Sequence, residues 1–336
     1  MQPTLSGHDF FTGKSIFPLV SGSNLHAIDF QGTPYNLVAI VGPTASGKTK
    51  LAANLAYRIG GEVICADSRQ VYKGMDIGTG KDYADYVVQG QVVRSHLMDL
   101  VTPGYKYNVY EYQADFYKTF ADVAHAGGFP VMCGGSGLYI EAVLGQYKLI
   151  NVPVNPELRQ SLEGKSLAEL AQILSGYRKL HNKTDTDTIP RAIRSIEIEE
   201  FNAHHQLPDI TLPEVRPLVV GVGIDTDSRR ARITKRLKER LDEGMVDEVK
   251  ALLDQGVTPD ELIYYGLEYK YLTLYVTGTI SYNQMFDELN IAIHQFAKRQ
   301  MTWFRRMERN GFRIHWVSAF DPMDERVGHI EALLKG

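Results

Sequence analysis

The chain has 336 residues, of which 44% are hydrophobic and 23% charged, and its formal net charge is −4. These values are typical of a soluble globular protein with a large core and predict one main domain plus a smaller module. No apolar run approaches the length of a membrane span, and the N-terminal segment lacks the features of a signal peptide, so we expect a cytoplasmic protein. The two cysteines, Cys65 and Cys133, lie in apolar stretches and are predicted to be buried thiols rather than a disulfide.

The negative net charge does not favour a nucleic-acid binder, because a face that binds phosphates is normally basic. Any contact with RNA must therefore use local basic patches. Two segments qualify: 229–240 (RRARITKRLKER) and 298–313 (KRQMTWFRRMERNGFR).

Five apolar segments have the length and composition of buried strands: 37–41 (LVAIV), 62–66, 130–133, 217–224 and 312–317. Apolar residues at helical spacing from Lys48 to Ile59, closed by Gly60-Gly61, predict a helix after the first strand. Strands separated by helical stretches predict an α/β fold with a doubly wound parallel sheet.

Residues 145–205 are polar and helical in pattern, lack a strand, and are flanked by prolines. They predict a small helical module inserted into a core made of residues 37–144 and 206–320. Helical patterns dominate from Thr226 to Arg309, so the C-terminal part of the core is predicted to be helical. Residues 1–36 are an N-terminal extension to which we assign no function.

The strongest local signal is Gly42-Pro-Thr-Ala-Ser-Gly-Lys-Thr49, which matches the phosphate-binding loop G-x-x-x-x-G-K-[ST] and lies between a strand and a helix. Such a P-loop turns backbone N–H groups and a helix N-terminus toward phosphate oxygens. Lys48 adds a positive charge, and the hydroxyl of Thr49 can hold Mg²⁺. Phosphate contacts are predicted for Gly42, Thr44, Ala45, Ser46, Gly47, Lys48 and Thr49. The ligand is therefore expected to carry a diphosphate or a triphosphate.

The phosphate loop does not by itself identify the reaction. Motor ATPases and GTPases usually add an apolar strand ending in a Mg²⁺-binding acid, and the nearest segment, 96–101 (HLMDLV), matches that pattern poorly. Asp67 follows the second predicted strand, and loops at the carboxyl ends of parallel strands line the ligand crevice of a doubly wound sheet. Asp67 is therefore a candidate site residue, although an Asp in such a position is often a helix cap.

Six segments, taken in order, resemble the tRNA dimethylallyltransferases, also called isopentenyltransferases. They are GPTASGKT at 42–49, ADSRQVYKGMDIGTGK at 66–81, GGSGLY at 134–139, RAIRSIE at 191–197, RITKRLKERLDEGMVDEV at 232–249 and AKRQMTW at 297–303. The resemblance extends from residue 37 to about residue 317. The first two segments are specific alone, and the ordered set is highly specific.

The resemblance implies that dimethylallyl diphosphate, not ATP, binds to the phosphate loop. It also implies transfer of the dimethylallyl group to N6 of an adenosine next to the anticodon of tRNA. Asp67 would then be the base that takes a proton from the amine. Lys48, Thr49 and Mg²⁺ would stabilise the leaving diphosphate. Ser136 takes the place of a family threonine near the reacting amine and keeps its hydroxyl.

The resemblance also assigns further contacts. The family has a diphosphate-contacting arginine six residues before the position of Arg232, where this chain has Thr226. Arg229 or Arg230 would have to replace it, and Arg229 is the candidate that we name. The tRNA contacts implied are Asp67, Ser68, Arg69, Gln70, Ser136, Arg191, Arg194, Lys298, Arg299 and Gln300. We expect the enzyme to act as a monomer.

Three other functions remain open at this point. A prenyltransferase that acts on free AMP, ADP or ATP would need fewer basic contacts, although the KRQ and RAIR segments speak against it. A P-loop kinase of a small molecule could also use Asp67 as a base, but it has no reason to contain GGSGLY or AKRQMTW. An RNA-binding protein without activity is disfavoured because Lys48, Thr49 and Asp67 are all present.

Overall fold

The computed structural model describes residues 30–178, 186–205 and 209–336. The chain divides into two compact units: Lys148–Leu212 forms the smaller one, and the segments before and after it form the larger one. The module predicted at residues 145–205 overlaps the smaller unit. Of the extension predicted at residues 1–36, residues 1–29 lie outside the described residues.

The larger unit is built on a parallel sheet. Its strands are β1 (Leu37–Val41), β2 (Gly61–Ala66), β3 (Val87–Val88), β4 (Gln91–Val92), β5 (Ser95–His96), β6 (Phe129–Gly134), β7 (Pro217–Gly223) and β8 (Ile314–Ser318). Six of them form one sheet in the order β5–β2–β6–β1–β7–β8, with parallel pairing throughout, and β3 pairs antiparallel with β4. All five predicted strands belong to the parallel sheet, which confirms the predicted α/β fold.

Helices surround this sheet and make up the smaller unit. They are α1 (Lys48–Ile59), α2 (Val109–His125), α3 (Gly137–Leu144), α4 (Pro156–Leu162), α5 (Leu167–Tyr177), α6 (Ile189–His204), α7 (Thr226–Asp242), α8 (Met245–Asp254), α9 (Pro259–Tyr264), α10 (Leu267–Val276), α11 (Tyr282–Arg309) and α12 (Met323–Leu334). The run from α7 to α11 confirms the predicted helical C-terminal part. Among the described residues, no helix is both long and apolar enough to span a membrane.

The central strand β1 shows why an apolar run of residues predicts a strand in this fold. Every residue of β1 is fully buried, as expected when both faces of a parallel sheet are covered. Val38 and Ile40 are two residues apart and therefore lie on the same face of the sheet. They belong to the same apolar cluster as residues of α1 and α12. Burial of such side chains, worth about 1.5–3 kcal/mol each, holds the sheet and its helices together.

The register of the sheet brings three loops to one place. Val41 of β1 and Ala66 of β2 both pair with Gly134, the last residue of β6, which lies between them. A Cβ atom on Gly134 would lie 2.1 Å from the Ala66 carbonyl oxygen, so only glycine fits there. The loops that follow β1, β2 and β6 therefore start side by side, at the carboxyl edge where ligands bind in such folds.

The smaller unit has a core of its own. Three helices, α4, α5 and α6, pack around a cluster of buried residues: Leu162, Leu170, Leu174, Ala192 and Ile196. The second of these helices begins at a capping box, in which the Ser166 hydroxyl accepts from the Glu169 amide and the Glu169 carboxylate accepts from the Ser166 amide. Local capping and one apolar cluster thus account for the fold of this unit.

Candidate active site

The phosphate loop turns sharply into α1. Ala45 and Gly47 have left-handed backbone angles, with φ of 60° and 83°, and Gly47 is the N-cap of α1 without a side-chain hydrogen bond at the cap. The first N–H groups of the helix therefore keep their capacity to bind an anion. A Cβ atom on Gly42 would lie 2.9 Å from the hydroxyl of Ser46, so the first glycine is required for the tight turn. The Ser46 hydroxyl is buried without a hydrogen-bond partner in the described chain.

Two buried thiols lie near the ends of the strands that precede the loops of this site. Cys65 on β2 and Cys133 on β6 are aligned in register, and both are free, as predicted. Burial raises the pKa of Cys133 to about 12, against the lowering influence of Lys48 and of a hydrogen bond from Thr49. Burial also raises the pKa of Cys65, and the charge of Asp67 raises it further. The charges of Lys48 and Asp67 thus both influence these two thiols.

Asp67 and Ser136 occupy loops that are hydrogen-bonded to each other. The carboxylate of Asp67 accepts a hydrogen bond from the Arg69 amide at 3.0 Å, which turns the chain just after β2. The hydroxyl of Ser136 accepts from the Ser68 amide at 2.9 Å and lies 3.2 Å from the Ser68 hydroxyl. Ser136 occupies the N-cap position of α3 but makes no cap hydrogen bond, because its hydroxyl is engaged by the neighbouring loop.

The segment from Asp67 to Lys81 is held by two charged side chains, the buried Lys81 and the half-buried Glu248, that the sequence analysis did not single out. The ammonium of Lys81 donates to the Tyr72 carbonyl at 2.6 Å, to Asp76 at 2.8 Å and to Asp99 at 2.5 Å. The carboxylate of Glu248 accepts from three successive amides, residues 76 to 78, at 2.7–3.0 Å. These contacts fix the loop as a rigid wall of the site.

Gln70 and Gln300, both expected among the tRNA contacts, are engaged inside the protein. The amide nitrogen of Gln70 donates to the Gly80 carbonyl at 2.9 Å, and its oxygen accepts from the Cys65 thiol at 3.1 Å. Gln300 is only 6% exposed. Its oxygen accepts from the Thr44 amide at 2.8 Å, and its nitrogen donates to the Gly135 carbonyl at 3.0 Å. The structure therefore gives both amides internal partners in place of a surface contact.

The other basic residues fall into two groups. Lys298 and Arg299 are exposed on α11. In the smaller unit, Arg191 is 60% exposed and pairs with Asp187, whereas Arg194 bonds to Glu197 at 3.1 Å and to the Val152 carbonyl at 2.7 Å. Burial raises the pKa of Glu197, but hydrogen bonds from Arg159, the Asn155 amide and Arg194 outweigh it and leave that pKa below its usual value. Arg194 thus has a structural ion pair, and Arg191 lies on the surface.

A cavity adjoins the phosphate loop on the side of α7. Its lining includes Thr44 and Ala45 of the loop, Ile233, Arg236 and Arg240 of α7, and Glu268 of α10. Arg236 and Arg240 both pair with Asp82. Arg229 is half-buried one turn before Ile233, and no hydrogen bond or ion pair of its guanidinium is found within the described chain. Arg229 therefore remains a candidate for a ligand contact.

An exposed aromatic residue lies beside the loop that carries Asp67. Tyr264, at the end of α9, is 48% exposed. The guanidinium of Arg69 and the ammonium of Lys106 lie 5.7 Å and 5.6 Å from the centre of its ring. Motif comparison did not point to Tyr264. An exposed tyrosine flanked by two cations is suited to a stacked nucleobase and its phosphates.

Comparison with known proteins identifies the relatives of this chain. The family model described as IPP transferase matches residues 70–307, and the model described as isopentenyl transferase matches residues 35–99. The chain is 59% identical to tRNA dimethylallyltransferase 2 of Phocaeicola vulgatus over 300 residues, which cover 89% of this chain and 98% of that protein. It is 57% identical to tRNA dimethylallyltransferase 2 of Bacteroides fragilis over 301 residues, or 90% of this chain and 98% of that protein.

A solved structure shows the same likeness. The full-length tRNA isopentenylpyrophosphate transferase from Bacillus halodurans superposes with a TM-score of 0.66 and 30% sequence identity, covering 89% of this chain and 95% of that one. The alignment thus includes most of both chains.

Proposed function

The chain belongs to the tRNA dimethylallyltransferase family, and we propose that it transfers a dimethylallyl group from dimethylallyl diphosphate to N6 of an adenosine next to the anticodon of tRNA. Diphosphate is the second product. The observation that carries this proposal is the meeting of Asp67, Ser136 and the phosphate loop at the ends of three adjacent strands. This arrangement supports a reaction in which a base and a diphosphate-binding loop act on the same reacting carbon.

The reaction forms one bond and breaks another. The N6 nitrogen attacks C1 of the dimethylallyl group, the C1–oxygen bond breaks, and its electron pair leaves with the diphosphate. The nitrogen is a weak nucleophile because its lone pair is delocalised into the adenine ring. The carboxylate of Asp67 takes the proton that the nitrogen loses, a contribution worth about 10²–10⁴ in rate for a positioned base.

The phosphate loop stabilises the charge that develops on the leaving group. The N-terminus of α1, which lacks a side-chain cap, offers backbone donors, and Lys48 adds a full positive charge. Arg229 is our candidate for a further contact to the diphosphate.

Mg²⁺ fits the donor atoms at this place. Thr49 lies in the first turn of α1, directly after Lys48, and its hydroxyl oxygen is a hard donor of the kind that Mg²⁺ prefers. No group of three His, Cys, Asp or Glu residues suited to a metal occurs in the described parts of the chain. The ion would therefore be held by Thr49, by the diphosphate and by water, and its charge would help to neutralise the leaving group.

We assign the acceptor RNA to the side of the site where Arg69, Lys106 and Tyr264 lie. The target adenine must leave its stack to reach the carboxylate of Asp67. Tyr264 offers a ring on which a neighbouring base can stack, and the two cations can contact its phosphates. Arg191, Lys298 and Arg299, all exposed, remain our candidates for contacts to the tRNA backbone. A monomeric enzyme in the cytoplasm completes the proposal.

One experiment tests the function directly. The protein is incubated with dimethylallyl diphosphate labelled in the prenyl group and, separately, with unmodified tRNA, AMP or ATP. We expect the label in tRNA alone and its loss on Asp67→Asn. Label in AMP or ATP but not in tRNA would replace the proposal by a free-nucleotide prenyltransferase. No transfer to any acceptor by folded protein would reject prenyl transfer altogether.

A further inference from the structure

One face of α11 is packed against the turn that carries Ser136. Gln300, Trp303 and Arg306 are three residues apart, so they lie on the same side of the helix. A Cβ atom on Gly135 would lie 2.4 Å from the Gln300 amide nitrogen, and one on Gly137 would lie 2.4 Å from the Trp303 ring. Glycines on both sides of Ser136 thus allow the turn to lie directly on α11.

The C-terminal end of this helix face is held by an ion pair. The guanidinium of Arg306 lies 4.0 Å from the centre of the Trp303 ring and donates to Glu141 at 2.5 Å. Glu141, on α3, is 2% exposed and also accepts from the Tyr147 hydroxyl at 2.9 Å. These contacts keep α11 and α3 in a fixed arrangement.

Gln300 joins this turn to the phosphate loop through two hydrogen bonds. Its carboxamide oxygen accepts from the Thr44 amide, and its nitrogen donates to the Gly135 carbonyl, next to Ser136. The two groups lie in loops after different strands, β1 and β6. Among amino acids of this length, only glutamine presents both an acceptor and a donor at neutral pH without placing a charge in a buried site.

We infer that Gln300 is a positioning residue that sets the separation between the bound diphosphate and the Ser136–Asp67 side of the site. The inference rests on the proposed function. Gln300 is buried behind both loops and therefore acts without contacting RNA. The Thr44 amide donates to Gln300 and therefore does not point to the diphosphate in this arrangement. A displacement of about 1 Å between reacting groups can lower a rate by about 10²-fold.

Two substitutions separate the two hydrogen bonds. Gln300→Met keeps the length of the side chain and removes both bonds. Gln300→Glu keeps an acceptor for Thr44 but turns a second acceptor toward the Gly135 carbonyl. When the introduced carboxyl is protonated, it can again donate to Gly135. The control is Thr302→Ala on the same helix, because Thr302 is exposed and its hydroxyl donates to the Lys298 carbonyl within its own helix.

The first measurement is steady-state kinetics with tRNA, together with calorimetry using inorganic diphosphate. For Gln300→Met we expect kcat to fall about 10–100-fold and diphosphate binding to weaken, with the KM for tRNA unchanged. For Gln300→Glu we expect the loss in kcat, relative to wild type, to shrink as the pH is lowered. A raised KM for tRNA with normal kcat would overturn the inference, because it would show an RNA contact. Unchanged kinetics would overturn it as well.

The second measurement needs no acceptor and is independent of the proposed function. Hydrogen exchange of the Thr44 amide should be slow in the wild-type protein and faster by at least about tenfold in Gln300→Met. In Gln300→Glu it should remain slow, and this variant serves if Gln300→Met does not fold. Equal exchange rates in wild type and in a folded Gln300→Met would overturn the inference even if tRNA prenylation is confirmed.

Discussion

The hydroxyl of Ser136 accepts a hydrogen bond from the backbone amide of Ser68, the residue that follows Asp67, at 2.9 Å. This bond joins the loop after β6 to the loop after β2. The position of the Asp67 carboxylate therefore depends on a side chain from a distant part of the sequence. Ser136 is a short side chain with one hydroxyl, so its orientation is set by this bond and by the glycines around it.

Ser136→Ala should leave the Ser68 amide without its partner and loosen the turn that carries Asp67. We expect kcat to fall about tenfold, in line with the 0.5–1.5 kcal/mol that a hydrogen bond typically contributes. Ser136→Thr restores the hydroxyl, which the family has at this place, and should retain most of the activity. Steady-state kinetics on the two variants gives the comparison. Equal activity of the alanine variant and the wild type would show that the bond does not matter to the reaction.

Asp67→Asn should nearly abolish prenyl transfer and leave the binding of dimethylallyl diphosphate intact. The amide keeps the shape of the carboxylate but cannot take the proton, so a loss of about 10²–10⁴ in kcat is expected. Single-turnover assays with saturating tRNA measure it. Asp254→Asn, at an exposed position, is the control. Turnover of Asp67→Asn close to that of the control would remove Asp67 from the catalytic step.

Lys48→Ala should weaken diphosphate binding and slow the reaction together, because the positive charge interacts with both bound substrate and leaving group. The matched control is Lys50→Ala, at an exposed position two residues later on the same helix. Isothermal titration with dimethylallyl diphosphate distinguishes the two variants. An affinity of Lys48→Ala equal to that of the control would contradict a diphosphate-binding function for the loop lysine.

Affinity for tRNA should fall as salt is raised, despite the net charge of −4, if Arg191, Lys298 and Arg299 contact phosphates. The slope of log affinity against log salt should be about −0.7 to −0.9 for each phosphate neutralised. Replacing both Lys298 and Arg299 by Ala should flatten that slope by about one to two units.

Filter binding with labelled tRNA at several salt concentrations measures this slope. The paired control replaces Lys118 and Lys335, which are exposed in other regions, and should leave the slope unchanged. The same loss in both double variants would point to a nonspecific effect of net charge. A flat response of the wild-type protein would speak against tRNA as the acceptor.

The parts of the fold that the sequence predicted are those in which local pattern and burial coincide. All residues of β1 are apolar and buried, and its partner strands have similar runs. Strand β5, Ser95–His96, has two residues, and both are polar. His96 pairs with Glu62 on β2. Because β5 contains no apolar run, its sequence does not predict a strand. A strand this short is defined by its partner rather than by its own sequence.

The site was predicted where the chemistry follows from residue type and motif, as for Asp67 and Lys48. It was not predicted where a polar side chain acts inside the protein. Gln300 lies in a run of charged residues, which indicates a surface. The helical period indicates a buried position instead, because Gln300 follows the buried Ala297 by three residues and precedes the buried Phe304 by four. Only the fold shows which carbonyl and amide this side chain reaches.

The enclosure of Lys81 gives the loop after Asp67 a built-in reporter. Its ammonium has no exposed surface and is surrounded by three oxygen acceptors. Amine-directed reagents can reach it only when the loop opens, whereas the exposed Lys50 reacts at all times. The ratio of acylation at Lys81 to acylation at Lys50 therefore measures how often the loop after Asp67 opens locally. Mass spectrometry of the labelled protein would read this frequency without any turnover.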